Sequence, residues 1–188
     1  MLSRPSPVPQ RPGVYAWYFS ELPTGSNVAG CHLVEGQTLL YVGISPKAPP
    51  ENGRLPSRQT LRTRLRTHFG GNAEGSTLRL TLGCLLAERL GITLRRVGSG
   101  RRYTFTNPGE CVLDTWMAQN AFVTWIEHQS PWVLERELLR SGLVLPLNIH
   151  ANPREDLRCY LSAVRARARR AAEELPILSD NGGPRQTR

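Results

Sequence analysis

Two neighbouring segments, residues 39–43 (LLYVG) and residues 60–69 (TLRTRLRTHF), decide how this sequence folds. The first is a short apolar run that ends in glycine, which is typical of a buried strand entering a turn. In the second, a rotation of about 100° per residue brings Leu61, Leu65 and Phe69 onto one face of a helix. The two segments therefore predict a buried strand followed by a helix that packs on the core.

The predicted helix carries basic side chains along both edges of its apolar face. Arg64 and His68 lie on one edge, and Arg62 and Arg66 lie on the other. Such a helix is suited to holding a phosphate group beside the end of a strand. A surface helix with solvated arginines explains the same pattern, and the helix alone does not separate the two interpretations.

The composition favours a polyanionic partner. The 188-residue chain has a formal net charge of +9, and Lys47 is its only lysine. The planar guanidinium of arginine binds phosphate through two parallel hydrogen bonds, which lysine cannot do. No apolar run approaches the roughly 18 residues of a membrane span, and the first residues do not resemble a signal peptide. We therefore expect a soluble, cytoplasmic protein without a membrane partner.

Strands and helices are predicted along the whole chain. The strand patterns cover residues 13–19, 39–42, 94–97, 102–106 and 122–126, and the first two of these are expected to pair antiparallel. The helix patterns cover residues 60–70, 76–91, 107–119, 131–140 and 154–175. Residues 145–149 are expected to form a short extended segment.

One carboxylate is placed unusually within the helix predicted at residues 131–140. On a helical projection Glu135 falls near the middle of the apolar arc, whereas Glu137 falls on the polar side. An ionised carboxylate facing the core is costly unless it is paired or holds a metal. Glu135 is therefore predicted either to form a buried salt bridge or to bind a cation such as Mg²⁺.

Taken together, these residues resemble the GIY-YIG nuclease superfamily. The resemblance covers about residues 11–150, and its five matching segments occur in the family's order. They are residues 13–15 (GVY), residues 41–43 (YVG), the helix with Arg64 and His68, the helix with Glu135, and residues 146–148 (PLN). Three features depart from the family: 25 residues separate the two triads, Ile44 follows the second triad where many members have lysine, and residues 71–119 look like an insertion.

The resemblance implies a fold and a set of domains. It implies an α+β fold, in which a small, mainly antiparallel sheet is flanked by helices, with a helical insertion and a C-terminal helix. We expect residues 1–10 to form an extended lead-in and residues 11–150 to form the nuclease-like domain, with the insertion at about 71–119. We expect residues 151–176 to form a basic helix and residues 177–188 a disordered tail.

The resemblance also implies a metal-dependent endonuclease acting on nucleic acid, with DNA as the expected substrate. Its implied catalytic residues are Tyr15, Tyr41, Arg64, His68, Glu135 and Asn148. Either tyrosine would take a proton from water with the help of His68, and its pKa would have to be depressed for that task. Arg64 would stabilise charge on the phosphoryl oxygens, Glu135 would hold Mg²⁺ or Mn²⁺, and Asn148 would position these groups. Arg62, Arg66 and Gly43 are predicted to contact nucleic acid.

Two other interpretations remain open. A nucleic-acid-binding module that kept the fold and lost the chemistry would bind through its arginines and be indifferent to Glu135 and to metal. A structural or protein-interaction domain would leave both the basic helix and Glu135 without an explanation.

Overall fold

The computed structural model describes residues 6–52, 57–150 and 152–179 of the chain. The fold is α+β, as predicted, with an antiparallel sheet flanked by helices. The strands are β1 (Gly13–Phe19), β2 (Leu33–Val34), β3 (Gln37–Ser45), β4 (Arg95–Val97), β5 (Arg102–Thr104) and β6 (Ala121–Glu127). The helices are α1 (Leu61–Gly70), α2 (Thr77–Leu85), α3 (Ala87–Leu90), α4 (Thr106–Asn120), α5 (Pro131–Arg140) and α6 (Glu155–Glu173).

The main sheet has the strand order β2-β3-β1-β6, and all of its pairings are antiparallel. The predicted antiparallel pairing of the first two long strands is confirmed, with Tyr15 opposite Gly43 and Trp17 opposite Tyr41. A β-bulge at Leu40 shifts the register between Trp17 and Tyr18. The strands β4 and β5 lie within two further predicted strand segments and pair as a hairpin in a separate two-stranded sheet.

The two faces of the main sheet support two apolar clusters. On one face Tyr15, Trp17 and Leu40 join a large core with α1, α2 and α4. On the other face Val14 and Val42 join a smaller core with α5. The central strand β1 is therefore covered on both sides, which explains its continuous apolar sequence.

The helix α1 packs unusually close to the sheet at Gly13. A Cβ atom at this position would lie 2.2 Å from the carbonyl oxygen of Ile126 and 2.6 Å from a methyl group of Leu61. Thr60 caps the helix, because its side chain accepts a hydrogen bond from the backbone of Thr63. The close packing at Gly13 and this cap fix the start of the basic helix beside the end of the first strand.

Three local features differ from the predicted strands and helices. No strand was predicted within residues 20–37, but the two-residue strand β2 lies there. The helix α4 begins at Thr106, one residue before the predicted start, and no side chain caps it. Residues 145–149 form a turn and no strand, held to β3 by a hydrogen bond from Leu147 to the Leu40 carbonyl oxygen.

Parts of both predicted tails pack on the fold. Val8, in the expected extended lead-in, is buried against the core. Leu178, in the expected disordered tail, forms a parallel bridge with Val97. The expectations for residues 1–5 and 180–188 lie outside the described residues. Within the described ranges, no helix combines the length and apolarity that crossing a membrane requires.

Candidate active site

Two tyrosines from neighbouring strands lie side by side at the end of the sheet near α1. The rings of Tyr15 and Tyr41 are stacked, with centroids 6.3 Å apart and an angle of 28° between their planes. Gly43 lies opposite Tyr15, and a Cβ atom on Gly43 would lie 2.5 Å from the Tyr15 hydroxyl. The glycine of the second triad therefore makes room for the tyrosine of the first.

His68 connects the Tyr15 hydroxyl to the start of α2. Its Nε2 lies 2.7 Å from the Tyr15 hydroxyl oxygen, and its Nδ1 lies 2.6 Å from Oγ of Ser76. Burial lowers the pKa of His68 well below its ordinary value, and the charges of Arg64 and Arg79 lower it further. The imidazole is therefore neutral near neutral pH, and one of its nitrogens can accept a hydrogen bond.

Arg64 lies one helical turn before His68 and faces both tyrosines. Its Nε donates a hydrogen bond to the Tyr15 hydroxyl at 3.4 Å, and its Nη1 donates to the carbonyl oxygen of Gly75 at 3.3 Å. Burial alone would lower the pKa of Arg64, but the phenols of Tyr15 and Tyr41 raise it above its ordinary value. The guanidinium is thus half-buried, charged and directed at the two phenols.

Both phenols keep their protons in the ligand-free protein. Burial raises the pKa of Tyr15 well above its ordinary value, and the neighbouring Tyr41 raises it further. Burial also raises the pKa of Tyr41, and Arg64 offsets this shift only in part. From the sequence we expected arginine and metal charge together to favour a depressed phenol pKa. Arg64 does lower the pKa of both phenols, but in the protein without metal and substrate burial outweighs this effect.

Glu135 lies on α5, across the site from α1, and is partly buried. Burial raises the pKa of its carboxyl group, whereas the charges of His150 and Lys47 act in the opposite direction. The carboxylate in turn raises the pKa of Tyr41, so the two groups are within electrostatic range. No hydrogen bond or ion pair joins Glu135 to any of the described residues, so the alternative of a buried salt bridge is not what the structure contains.

This carboxylate fits a hard divalent cation. Over residues 6–52, 57–150 and 152–179 there is no group of three or more His, Cys, Asp or Glu side chains that could enclose a metal. Mg²⁺ commonly takes one or two carboxylates and fills its other positions with water and substrate phosphate. A single unpaired carboxylate beside a cluster of phenols and a guanidinium satisfies that requirement.

Asn148 closes the outer edge of β3. Its amide oxygen accepts a hydrogen bond from the backbone N–H of Val42 at 2.9 Å, and its amide nitrogen donates to the Val42 carbonyl oxygen at 2.8 Å. Asn152 in turn donates to the carbonyl oxygen of Asn148. Asn148 thus fixes the backbone next to Tyr41 and does not itself reach the cluster through a hydrogen bond.

The three residues predicted to contact nucleic acid have different surroundings. Arg62 donates a hydrogen bond from Nε to the carbonyl oxygen of Val8, which ties the N-terminal segment to α1. Arg66 is exposed on the same helix, and Gly43 is buried under the Tyr15 ring. Of the three, Arg66 alone presents an exposed side chain to solvent.

Sequence reasoning missed a buried network that supports His68. Arg79 is completely buried and forms ion pairs with Glu110 at 2.7 Å and with Asp114 at 2.6 Å. It also donates hydrogen bonds to the carbonyl oxygens at the end of α1, including that of His68 at 3.3 Å. Its backbone N–H donates to Ser76, whose side chain caps α2. The helical projection that identified Glu135 would also have placed Arg79 at the edge of the apolar arc of α2.

Other missed residues come from segments far apart in the chain. Thr77 interacts with the Tyr41 hydroxyl and lowers its pKa, and Arg165 on α6 lies within electrostatic range of the same group. His150 and Lys47 lie near Glu135. No sequence pattern connects these residues, because their proximity depends on how the helices pack.

Comparison with known proteins agrees with this arrangement. No curated protein and no solved structure matches the chain. A model of the GIY-YIG catalytic domain family matches residues 13–167, which include both tyrosines, the basic helix, Glu135, Asn148 and the first 13 residues of α6. Since that match covers more than four-fifths of the chain and contains the assembled cluster, the protein belongs to the GIY-YIG catalytic domain family.

Proposed function

We propose that the protein is a metal-dependent endonuclease that hydrolyses phosphodiester bonds in nucleic acid, with DNA as its substrate. The observation that carries the proposal is the convergence of Tyr15, Tyr41, His68 and Arg64 within electrostatic range of a carboxylate, Glu135, that has no hydrogen-bond or ion-pair partner among the described residues. Nuclease chemistry needs a proton acceptor, a positive group for the phosphoryl oxygens and a metal ligand. The cluster contains one group suited to each task.

The proton path proceeds from the attacking water through Tyr15 to His68. As the water oxygen bonds to phosphorus, its proton moves to the Tyr15 hydroxyl, and the phenol proton passes to Nε2 of His68 over 2.7 Å. In this arrangement the Nδ1–H of His68 is donated to Ser76, which lies 2.6 Å away. Because the proton leaves Tyr15 as another arrives, the raised pKa of this phenol in the free protein is no obstacle.

Arg64 and Glu135 are assigned to the stabilisation of the negative charge that develops as the phosphodiester bond breaks. Arg64 already points at the phenols, so its guanidinium is placed to stabilise negative charge on the phosphoryl oxygens without reorganising. Glu135 would hold the Mg²⁺ or Mn²⁺ ion, whose chemistry here is to stabilise negative charge on the leaving oxygen. Asn148 keeps the backbone beside Tyr41 in place. We also propose that the protein acts in the cytoplasm.

The test is cleavage of labelled duplex, branched and single-stranded DNA, and of RNA, with Mg²⁺ or Mn²⁺. Glu135→Gln should lower the cleavage rate by about 100-fold or more, because it removes the metal ligand. The matched control is Glu137→Gln on the exposed side of the same helix, which should cleave like the wild type.

Two outcomes would contradict the proposal. If the wild type cleaves none of these substrates yet binds them in a salt-dependent way, unaffected by Glu135→Gln, the protein is a binding module without chemistry. If Glu135→Gln and Glu137→Gln cleave equally well, the carboxylate has no role in holding the metal.

A further inference from the structure

A groove along α6 contains three arginines that form no hydrogen bond with the catalytic cluster. The groove has a volume of about 440 Å³, and its polar lining includes Arg165, Arg169 and Arg170. Arg165 and Arg169 are four residues apart, so they lie on one face of the helix with about 6 Å of rise between them. The apolar part of the lining includes Ile149, the residue directly after Asn148.

These arginines are positive charges without a negative partner. Neither Arg165 nor Arg169 forms an ion pair with any of the described residues, and Arg169 lies over the ring of Tyr103 at 5.5 Å. The carboxylate that lines the groove, Glu173, instead accepts a hydrogen bond from the Tyr103 hydroxyl at 3.0 Å. Two guanidinium groups that repel each other in a partly buried groove would be stabilised by an anion.

The surroundings of Arg165 support this conclusion. Burial lowers the pKa of Arg165, and the neighbouring charge of Arg169 lowers it further. A folded protein tolerates such a destabilised cation at a surface groove most readily where a ligand neutralises it. Guanidinium groups match the oxygens of a phosphate group in geometry as well as in charge.

The position of the groove connects it to the catalytic cluster. Arg165 is close enough to Tyr41 for the phenol to affect the pKa of Arg165. Ile149 continues the turn in which Asn148 holds the edge of β3. A nucleic-acid strand that has one phosphate at the catalytic cluster would therefore place its neighbouring phosphates in the groove.

We propose that the α6 groove binds backbone phosphates of the nucleic acid next to the bond that is cut, with Arg165 and Arg169 as the phosphate ligands. The proposal rests on the proposed function, because it takes the polyanion to be the substrate. The groove contributes binding affinity for the nucleic-acid strand, whereas the cluster around Tyr15 and Arg64 hydrolyses the phosphodiester bond.

The first experiment measures binding to a labelled DNA duplex without divalent metal over a series of salt concentrations. Arg165→Gln and Arg169→Gln should each weaken binding and reduce the slope of log affinity against log salt by about 0.9 for duplex DNA. Arg167→Gln is the matched control, because Arg167 is exposed and two residues from Arg165, so it points away from the groove. Arg165→Lys keeps the charge and should keep the slope, and thermal melting shows that each variant is folded.

The second experiment separates the groove from the catalytic cluster. A small aryl phosphodiester has no flanking phosphates, so Arg169→Gln should lower kcat/KM for DNA far more than kcat/KM for this substrate, whereas Glu135→Gln should lower both. A wild type that binds DNA through the groove but cleaves nothing would contradict the proposed function and leave the groove proposal standing. Equal losses of DNA affinity in Arg165→Gln, Arg169→Gln and Arg167→Gln would overturn the groove proposal, as would a wild type that binds no DNA at low salt.

Discussion

Gly43 leaves the space that the ring of Tyr15 occupies. An added methyl group at this position would lie 2.5 Å from the Tyr15 hydroxyl oxygen and 2.9 Å from the Tyr41 ring. Neither contact can be relieved easily, because Tyr15 is 2% exposed and its hydroxyl is held by His68. The small residue of the second triad is therefore a requirement of packing around the tyrosine pair.

Gly43→Ala should consequently displace both phenols from Arg64 and His68. We expect the cleavage rate to fall by about 100-fold, the usual effect of a displacement near 1 Å, with a stability loss of about 1–3 kcal/mol from overpacking. Gly70→Ala is the control, since a methyl group there meets no atom within 4 Å. Wild-type cleavage by Gly43→Ala, measured beside its melting temperature, would show that the tyrosine positions do not matter for the reaction.

His68 makes the stability of the fold depend on pH. The pKa of His68 in the folded protein lies well below the ordinary value of about 6.5. As the pH falls below 6.5, this imidazole therefore binds a proton in the unfolded chain before it does so in the native protein. This contribution to stability is fully present above pH 6.5 and is lost as the pH falls below it, by up to about 1.4 kcal/mol per pH unit.

The measurement is urea unfolding between pH 7.5 and pH 5. The fall in the free energy of unfolding below pH 6.5 should be shallower in His68→Gln than in the wild type. His128→Gln, which changes an exposed histidine, should keep the wild-type slope. Parallel curves for the wild type and His68→Gln would mean that His68 is protonated in the native protein.

The helices α2 and α4 hold the catalytic helix α1 through one buried ion-pair network. Arg79 of α2 bonds to Glu110 and to the last carbonyl groups of α1, and Glu110 also accepts backbone hydrogen bonds from Ala73 and Phe105. The segment that looks like an insertion in the sequence thus supports the position of His68 from behind. Its removal would leave the end of α1 without a partner.

Arg79→Met should destabilise the protein by about 3–5 kcal/mol, because it leaves the Glu110 carboxylate buried and unpaired. The double variant with Glu110→Gln should recover part of this loss, since a neutral amide oxygen can still accept the two backbone hydrogen bonds. Arg89→Met provides the control: the Arg89–Glu21 pair is exposed and should contribute less than about 1 kcal/mol. A double variant less stable than Arg79→Met alone would rule out this explanation.

The C-terminal helix α6 carries basic side chains and also packs against the main fold. Leu157, Leu161 and Val164 are buried, and α6 packs against α2. Arg96 of β4 donates hydrogen bonds to the carbonyl groups at the end of the helix, including that of Ala172 at 3.3 Å. We therefore propose that the core and α6 form a single folding unit, with the α6 groove placed beside the catalytic cluster.

A chain that ends at residue 150 should accordingly fail to fold cooperatively. The shorter chain lacks three buried aliphatic side chains, whose burial contributes about 1.5–3 kcal/mol each, and this loss removes much of the 5–15 kcal/mol that stabilises a typical domain. A chain that ends at residue 179 keeps α6 and its contacts with β4, and should melt like the full chain. Circular dichroism melting curves compare the two, and a cooperative transition at the wild-type temperature in the shorter chain would contradict the single unit.

Much of the architecture follows from local patterns. The strands β1 and β6 and the helices α1 and α5 were predicted close to their observed bounds, because each combines a regular apolar period with a glycine, proline or capping signal at its end. The strand β3 was predicted only at residues 39–42, whereas it runs from Gln37 to Ser45. The elements that the sequence did not predict are short or irregular. The two-residue strand β2 carries no apolar pattern, and Leu147 belongs to a turn that is hydrogen-bonded to β3. Local composition cannot predict an element that exists only because a neighbouring strand supplies its hydrogen bonds.

The sequence by itself determined the family, through the order of its five matching segments, and the resemblance in turn implied the α+β class. Helical projection of two segments distinguished Arg64, His68 and Glu135, because it separates core-facing from solvent-facing side chains. Only the tertiary structure decided that Ser76 lies behind His68, that Arg79 is fully buried, and that burial raises the phenol pKa values. It also decided that Arg165 lies near Tyr41. These properties depend on distances between residues far apart in the chain and on the loss of solvent around them, and neither quantity is encoded in any single segment.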